Sequence, residues 1–359
     1  EYARAGLRFE AVSETASTAA LLAFLWAGGF GWLDEAARSL GWPQLPTGLA
    51  YVGALAAASA LLGLPFSVYH TFVLEQRFGF NTTSPGTFVM DRVKGWLLGV
   101  VLGGGLLAVI LWLLERLGPS AWIWCWLAFA VFLIAVQVAA PIWILPLFNT
   151  FTPMPEGELR RAIEGYARAN GIPLSGIYLM DGSRRSTKSN AFVTGLGRKK
   201  RIALYDTLVE SLNVDEAVAV LAHEAGHVKL RHALLLLGLA AAKGLLLFFL
   251  LSLVLQVPAL FTGLGASGPS PYLGLVIFGL LWIPAGLAAS ALVNTVSRRA
   301  ERAADDFAAR STGAPAALAM ALRRLAVGNL SNLTPHRLTV VLDYAHPPVL
   351  ERIRRLERG

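Results

Sequence analysis

Residues 214–257 read VDEAVAVLAHEAGHVKLRHALLLLGLAAAKGLLLFFLLSLVLQV. Asn213 followed by Glu216 has the spacing of a capping box, so a helix is expected to start near Val214. From Leu234 to about Val257 the run is apolar, and about 20 such residues cross roughly 30 Å of hydrocarbon. One helix is therefore expected to carry a polar histidine-rich turn and then continue into a membrane.

Five further stretches have the same membrane character: Thr15 to Leu33, Leu49 to about Phe72, Trp96 to Leu114, Ala121 to about Phe148, and Tyr272 to about Val296. The 359 residues are 55% hydrophobic and 15% charged. Soluble domains are about 25% charged, so a soluble fold is argued against. Pro141 and Pro146 should kink or end the fourth stretch. Gln137 and Lys243 lie within apolar runs, where lipid is costly, so they should face protein or a wet cavity; a shifted boundary would instead let Lys243 snorkel.

Six crossings put the N-terminus, the loop from Val73 to Gly95, the segment from Asn149 to His232 and the C-terminal tail on one side. Of 31 Lys and Arg, Arg38 and Arg116 fall on the other side, Lys243 lies within the membrane, and the remaining 28 share the first side. The positive-inside rule makes that side cytoplasmic. The net charge of +8 is thus a topology signal and calls for no nucleic-acid partner. Cys125, the single cysteine, excludes an intrachain disulfide and a CxxC metal site. Since the chain begins at Glu1 and not at Met, residues are expected upstream.

Four regions follow: membrane helices 1 to 4 in residues 1–148, a small α+β domain in 149–232, membrane helices 5 and 6 in 233–296, and a helical region in 297–359. Within the second, Glu156 to Asn170 reads as a surface helix stopped by Gly171. Gly176 to Met180, Ala191 to Thr194 and Arg201 to Tyr205 read as strands. The last two form an antiparallel hairpin through Gly195-Leu196-Gly197 and a basic tip, Arg198 to Arg201, placed near anionic lipid.

His223-Glu224-Ala225-Gly226-His227 is an HExxH pattern. Residues four apart share a helical face, so both imidazoles reach one metal ion while Glu224 reaches a water on it. Zinc suits such a site, where three protein ligands leave one position open for water. The third ligand is expected from Ser297-Arg298-Arg299-Ala300-Glu301-Arg302-Ala303-Ala304-Asp305, which sets Glu301 and Asp305 on one face. Glu301 would complete the set, and Asp305 would orient a ligand histidine by hydrogen bonding. These carboxylates could instead solvate a basic helix end. Against that, His227 lies seven residues before the fifth span and Glu301 five after the sixth, which puts both about 10 Å beyond the same membrane face. His70, His232 and His336 read as packed or interfacial histidines.

In combination these segments resemble the type I CAAX prenyl endopeptidases, a family of integral-membrane zinc metalloproteases. The resemblance runs through Glu75-Gln76-Arg77-Phe78-Gly79-Phe80-Asn81, Pro146-Leu147-Phe148-Asn149-Thr150-Phe151-Thr152-Pro153, Ser189-Asn190-Ala191, the HExxH segment, Ser297 to Asp305, and His346-Pro347-Pro348 with Glu351-Arg352. It covers nearly the whole chain, although the family usually has seven membrane helices and six are visible here. The resemblance implies a mainly α fold, a polytopic barrel of membrane helices enclosing a water-filled chamber, with the zinc domain at one membrane face. It also implies that Asn190, Ala191, Phe192, Val193 and Thr194 hold the substrate by strand addition, and that His346 and Arg352 approach the scissile carbonyl.

The expected function is that of a membrane zinc endopeptidase with one Zn2+ per chain, Glu224 as general base, and peptide or protein substrates, prenylated or not. The bias towards Ala, Gly, Leu and Arg favours a bacterial inner membrane and protein quality control over the endoplasmic reticulum. A six-helix transporter or channel, or a scaffold, with a vestigial metal site is the rival reading; an intact Glu224 weighs against it.

Overall fold

The computed structural model of the chain describes residues 1–194 and 200–358. The turn expected at Gly195-Leu196-Gly197 and the first part of the basic tip, Arg198 and Lys199, lie outside the described residues.

The membrane part starts with α1 (Tyr2–Trp26) and α2 (Gly29–Arg38), which meet at an angle of 65°. Gly28 makes the bend at φ 69°, a left-handed conformation that suits glycine. The single span expected from Thr15 to Leu33 is therefore corrected: α1 starts earlier, and the apolar run turns a corner at Gly28. Next come α3 (Gln44–Tyr69), α4 (Pro85–Leu98), α5 (Gly105–Leu117) and α6 (Ala121–Ala139). Pro85 to Phe148 is nearly all helical, but Gly118 (φ 54°, ψ −135°) reverses the chain, and α5 and α6 pack side by side as two crossings. Pro141 does not end the fourth span; a π turn at Ala140–Ile144 carries the chain into α7 (Leu145–Phe148).

The small α+β region contains β1 (Phe151–Pro153), α8 (Glu158–Ala169), β2 (Leu174–Met180), β3 (Ala191–Thr194), β4 (Lys200–Tyr205), α9 (Asp206–Ser211) and α10 (Val214–Lys229). α11 (His232–Val254), α12 (Pro258–Gly263) and α13 (Pro271–Thr312) follow, then α14 (Pro315–Gly328), α15 (Arg337–Leu342) and α16 (Val349–Arg358). The sheet order is β1-β2-β4-β3, with β2 parallel to β4 and β3 antiparallel to it. β1, which the sequence did not announce, adds to the far edge. Ile163, Ile202, Leu204, Leu208 and Leu221 form the apolar core beneath the sheet.

The spans form a closed circuit in which α3 packs on α5, α5 on α6, α6 on α11, α11 on α13, and α13 on α3. Their buried side chains gather at the end away from the sheet: Tyr51, Ile110, Leu111, Cys125, Leu251, Tyr272 and Phe278. In α13 no residue between Phe278 and Arg298 is buried. The apolar packing between these spans is thus concentrated at the end away from the sheet. Lys243, part way along this region, hydrogen-bonds Ser290 across the α11–α13 seam (3.1 Å), so it faces protein and not the headgroups.

Candidate metal centre

α10 starts where the capping box predicts: Asn213 Oδ1 accepts from the Glu216 N–H (2.9 Å), and Glu216 Oε2 accepts from the Asn213 N–H (3.1 Å). The helix does not run on into the fifth span as expected. It breaks at Leu230 and Arg231, the latter left-handed at φ 56°, and α11 starts afresh at His232. α13 is unbroken by contrast, and its 42 residues carry Glu301 and Asp305 out of the membrane on the helix that spans it. The two helices meet closely because position 226 is glycine: a Cβ there would lie 3.0 Å from Ala304 Cα and 3.1 Å from its carbonyl oxygen.

His223 Nε2 and His227 Nε2 lie 3.1 Å apart. Glu301 Oε2 is 3.4 Å from the first and Oε1 is 3.3 Å from the second. Glu301 is buried, and its Oε2 has no hydrogen-bond partner. An unpaired buried carboxylate oxygen costs about 1–3 kcal/mol or more, a penalty that a cation among the three side chains removes. Two imidazoles and one carboxylate are a donor set that suits a first-row divalent metal.

The other ring nitrogens are also engaged. His223 Nδ1 is 2.8 Å from Asp305 Oδ1, and Arg352 grips the same carboxylate through Nη2 (2.7 Å) and Nε (2.9 Å). His227 Nδ1 is 3.0 Å from Nδ1 of His232, a residue read from sequence as mere packing. Burial opposes ionisation of Asp305, but the hydrogen bonds from His223 and Arg352 outweigh it and hold the carboxyl below its usual range. Burial pushes the Glu224 carboxyl upward, with His223 and His227 opposing.

A cavity of 370 Å³ brings Asn190 and Ala191 together with Glu224, His223, His227, Glu301, His346 and Arg352. Phe192 and Val193 continue β3 away from it, and the backbone of Thr194 pairs with Arg201. His346 Nε2 approaches Glu301 Oε1 at 3.4 Å. With Nε and Nη2 of Arg352 on Asp305, its Nη1 is left 3.8 Å from Glu301 Oε2. Arg298, unassigned from sequence, donates from Nη1 to the carbonyls of Val340 (2.8 Å) and Tyr344 (2.7 Å) and so holds the loop that presents His346.

Residues 1–150 match the family described as "CAAX prenyl protease N-terminal, five membrane helices", and residues 153–359 match "Peptidase family M48". "CAAX prenyl protease 1 homolog" of Arabidopsis thaliana is 38% identical over 310 residues, covering 86% of this chain and 73% of that protein. The chain belongs to the M48 peptidases, in the CAAX prenyl protease 1 family. "CAAX prenyl protease 1" of Saccharomyces cerevisiae is 34% identical, covering 86% of this chain and 72% of its own length. The crystal structure of S. mikatae Ste24p superposes with a TM-score of 0.94 at 32% identity, over 99% of this chain and 87% of that one. The chain is thus a multi-pass membrane metalloprotease of the M48 family. Family membership, with His223, Glu224, His227 and Glu301 all present, removes the transporter and scaffold readings.

Proposed function

We propose that the chain holds one Zn2+ through His223, His227 and Glu301 and cleaves extended peptides laid along β3. Its catalytic face is cytoplasmic, and prenylated CAAX C-termini are its substrate class. The observation that carries this reading is the sheet order: among the described residues β3 pairs with β4 alone, and it begins in the cavity that contains Glu224.

The bound zinc would acidify a water and polarise the scissile carbonyl. Glu224 takes the proton of the attacking water and returns it to the leaving amine, a role helped by a carboxyl held above its usual range. His346 and Nη1 of Arg352 supply donors to the developing oxyanion. Asp305, steadied by Arg352, keeps His223 in one orientation.

The substrate binds by backbone pairing. The Tyr205 N–H donates to the Asn190 carbonyl (3.0 Å), so strand alternation turns the backbone groups of Ala191 and Val193 to the free edge. Asn190 Oδ1 accepts from the Ala191 N–H (2.9 Å) and holds that donor in the place of a peptide carbonyl.

Prenylated substrates are supported by the relatives, which are described as CAAX prenyl proteases, and by the long apolar helices that adjoin the site. The compositional bias supports a bacterial inner membrane, where unprenylated membrane segments are the second reading. Trapping with Glu224→Gln in native membranes tests the substrate class: recovery of prenylated C-termini supports the first, and of internal membrane-protein segments the second. Orientation is tested by cysteines introduced at Arg161 and Ser267, which should label from opposite sides of sealed vesicles. Labelling from one side only refutes the six-crossing topology.

A further inference from the structure

The segment Glu75 to Asn81 is a family-like signature that contributes nothing to the metal cavity. It contacts Tyr2 of α1 and residues 183–188, which lead towards β3. Thr187 N–H donates to the Phe80 carbonyl (3.1 Å), Asn81 bridges to Ser186, and Thr82 Oγ1 donates to the Ser183 carbonyl (2.6 Å). At the end of this run, Lys188 Nζ lies 3.0 Å from Glu75 Oε2 and 2.7 Å from the Tyr2 hydroxyl, which is itself hydrogen-bonded to Glu75. The ammonium also sits over the rings of Phe80 (4.4 Å) and Tyr2 (4.9 Å).

We propose that Lys188 is a positioning residue: by tying the leading end of β3 to α1 and to the turn after α3, it sets where a bound peptide stands relative to Glu224. The inference rests on β3 being the substrate strand.

The reason is mechanical. A central strand is fastened along both edges, whereas among the described residues β3 pairs with β4 on one edge only, which leaves the other for the peptide. Its place along the strand axis therefore depends on its leading end. Two other grips act there: Thr207 Oγ1 donates to the Lys188 carbonyl (3.1 Å), and Asn329 brackets Ser189 by accepting from its N–H (3.2 Å) and donating to its carbonyl (3.4 Å). Both hold backbone from outside the membrane spans, one from α9 and one from the end of α14. The Lys188 side chain instead reaches membrane helices, and Asn190 and Ala191, the next residues but one, line the catalytic cavity. Strand residues rise about 3.3 Å each, so slippage by a fraction of one residue displaces every carbonyl of the bound peptide. A misplacement of about 1 Å is enough to slow chemistry on the order of 100-fold.

Lys188→Met keeps the apolar stem and removes the charge. The expected result is full metal content, a KM little changed, kcat lower by about 10- to 100-fold, and cleavage of a long peptide spread over neighbouring bonds in the product masses. Glu75→Gln should give the same pattern, and the double variant should be no worse than either single one, because both break one contact. Additive effects, or a folded Lys188→Met that cuts the wild-type bond alone at the wild-type kcat, overturn the proposal. If Lys188→Met does not fold, Glu75→Gln carries the same readouts. Uniform tolerance of proline throughout the peptide by the wild type would remove the substrate strand itself. A proline-sensitive wild type with unaltered cleavage sites in both variants would remove only the positioning role.

Discussion

His232 Nδ1 lies 3.0 Å from His227 Nδ1, and the break at Arg231 makes that contact possible. In an unbroken helix, residue 232 would be turned about 140° from residue 227, at 3.6 residues per turn. The left-handed Arg231 brings the imidazole back. His232 can then accept the Nδ1 proton of His227 and leave Nε2 free for the metal. His232→Ala should weaken metal affinity by about 10- to 100-fold, as loss of such partners does. Competition against a chelator measures it, and unchanged affinity reduces His232 to packing.

Glu301→Ala should lose most of the metal, because the HExxH pair alone supplies two ligands and the carboxylate supplies the third. Elemental analysis of purified protein should fall from about one ion per chain, a closed set of three protein ligands with one open position being the catalytic pattern. Full occupancy would transfer the third position to another residue.

Glu224→Gln should keep the metal and lose about 100- to 10,000-fold in turnover, the range of general-base losses. In the wild type, Glu224 must be ionised to act, so kcat/KM should fall as the pH drops through its pKa. Burial raises that pKa, placing the acid limb above the roughly 4.3 of a free glutamate. An acid limb that persists unchanged in the residual activity of Glu224→Gln would contradict the base assignment.

The convergence of His223, His227 and Glu301 was legible from sequence because each position follows from local periodicity and chain length. Two histidines four apart share a helical face, and the hairpin of α11 and α13 has legs long enough to return Glu301 to the same membrane face. The break at Arg231 was not legible. Leu230-Arg231-His232 holds neither Gly nor Pro, yet Arg231 takes the left-handed conformation that such residues seldom adopt. The bend at Gly28 was hidden for another reason: hydropathy counts apolar residues without their direction. Arg298 and Asn329 bind backbone groups 42 to 140 residues away, a relationship no window along the chain contains.

Gly226→Val tests how tightly α10 must approach α13. The Cβ alone would sit 3.0 Å from backbone at Ala304, and valine adds two methyl groups beyond it. The helices must separate, at a cost of about 1–3 kcal/mol for overpacking. Because His227 lies next to the contact and Glu301 one turn from Ala304, metal affinity should fall with stability. A variant that loses thermal stability and keeps metal affinity would mean that the ligands tolerate the separation.

Substrate pairing along β3 makes a prediction with alternation built in. The free edge offers the backbone groups of Ala191 and Val193, two residues apart, while Asn190 and Phe192 turn theirs towards β4. An antiparallel or parallel peptide on that edge must likewise point every second N–H at β3 and the rest away. Proline removes an N–H and is tolerated only where none is paired. Moving a single proline along a cleaved peptide should therefore reduce kcat/KM at alternate positions and spare those between. Each lost hydrogen bond is worth about 0.5–1.5 kcal/mol, a reduction of roughly 2- to 13-fold per sensitive position. Asn190→Ala separates the strand from its gatekeeping amide: the Ala191 N–H loses its resident acceptor, so the alternation should persist while peptide affinity changes. Uniform tolerance, or sensitivity to side-chain identity alone, would point to a pocket that reads side chains, and β3 would then be only the edge of the sheet.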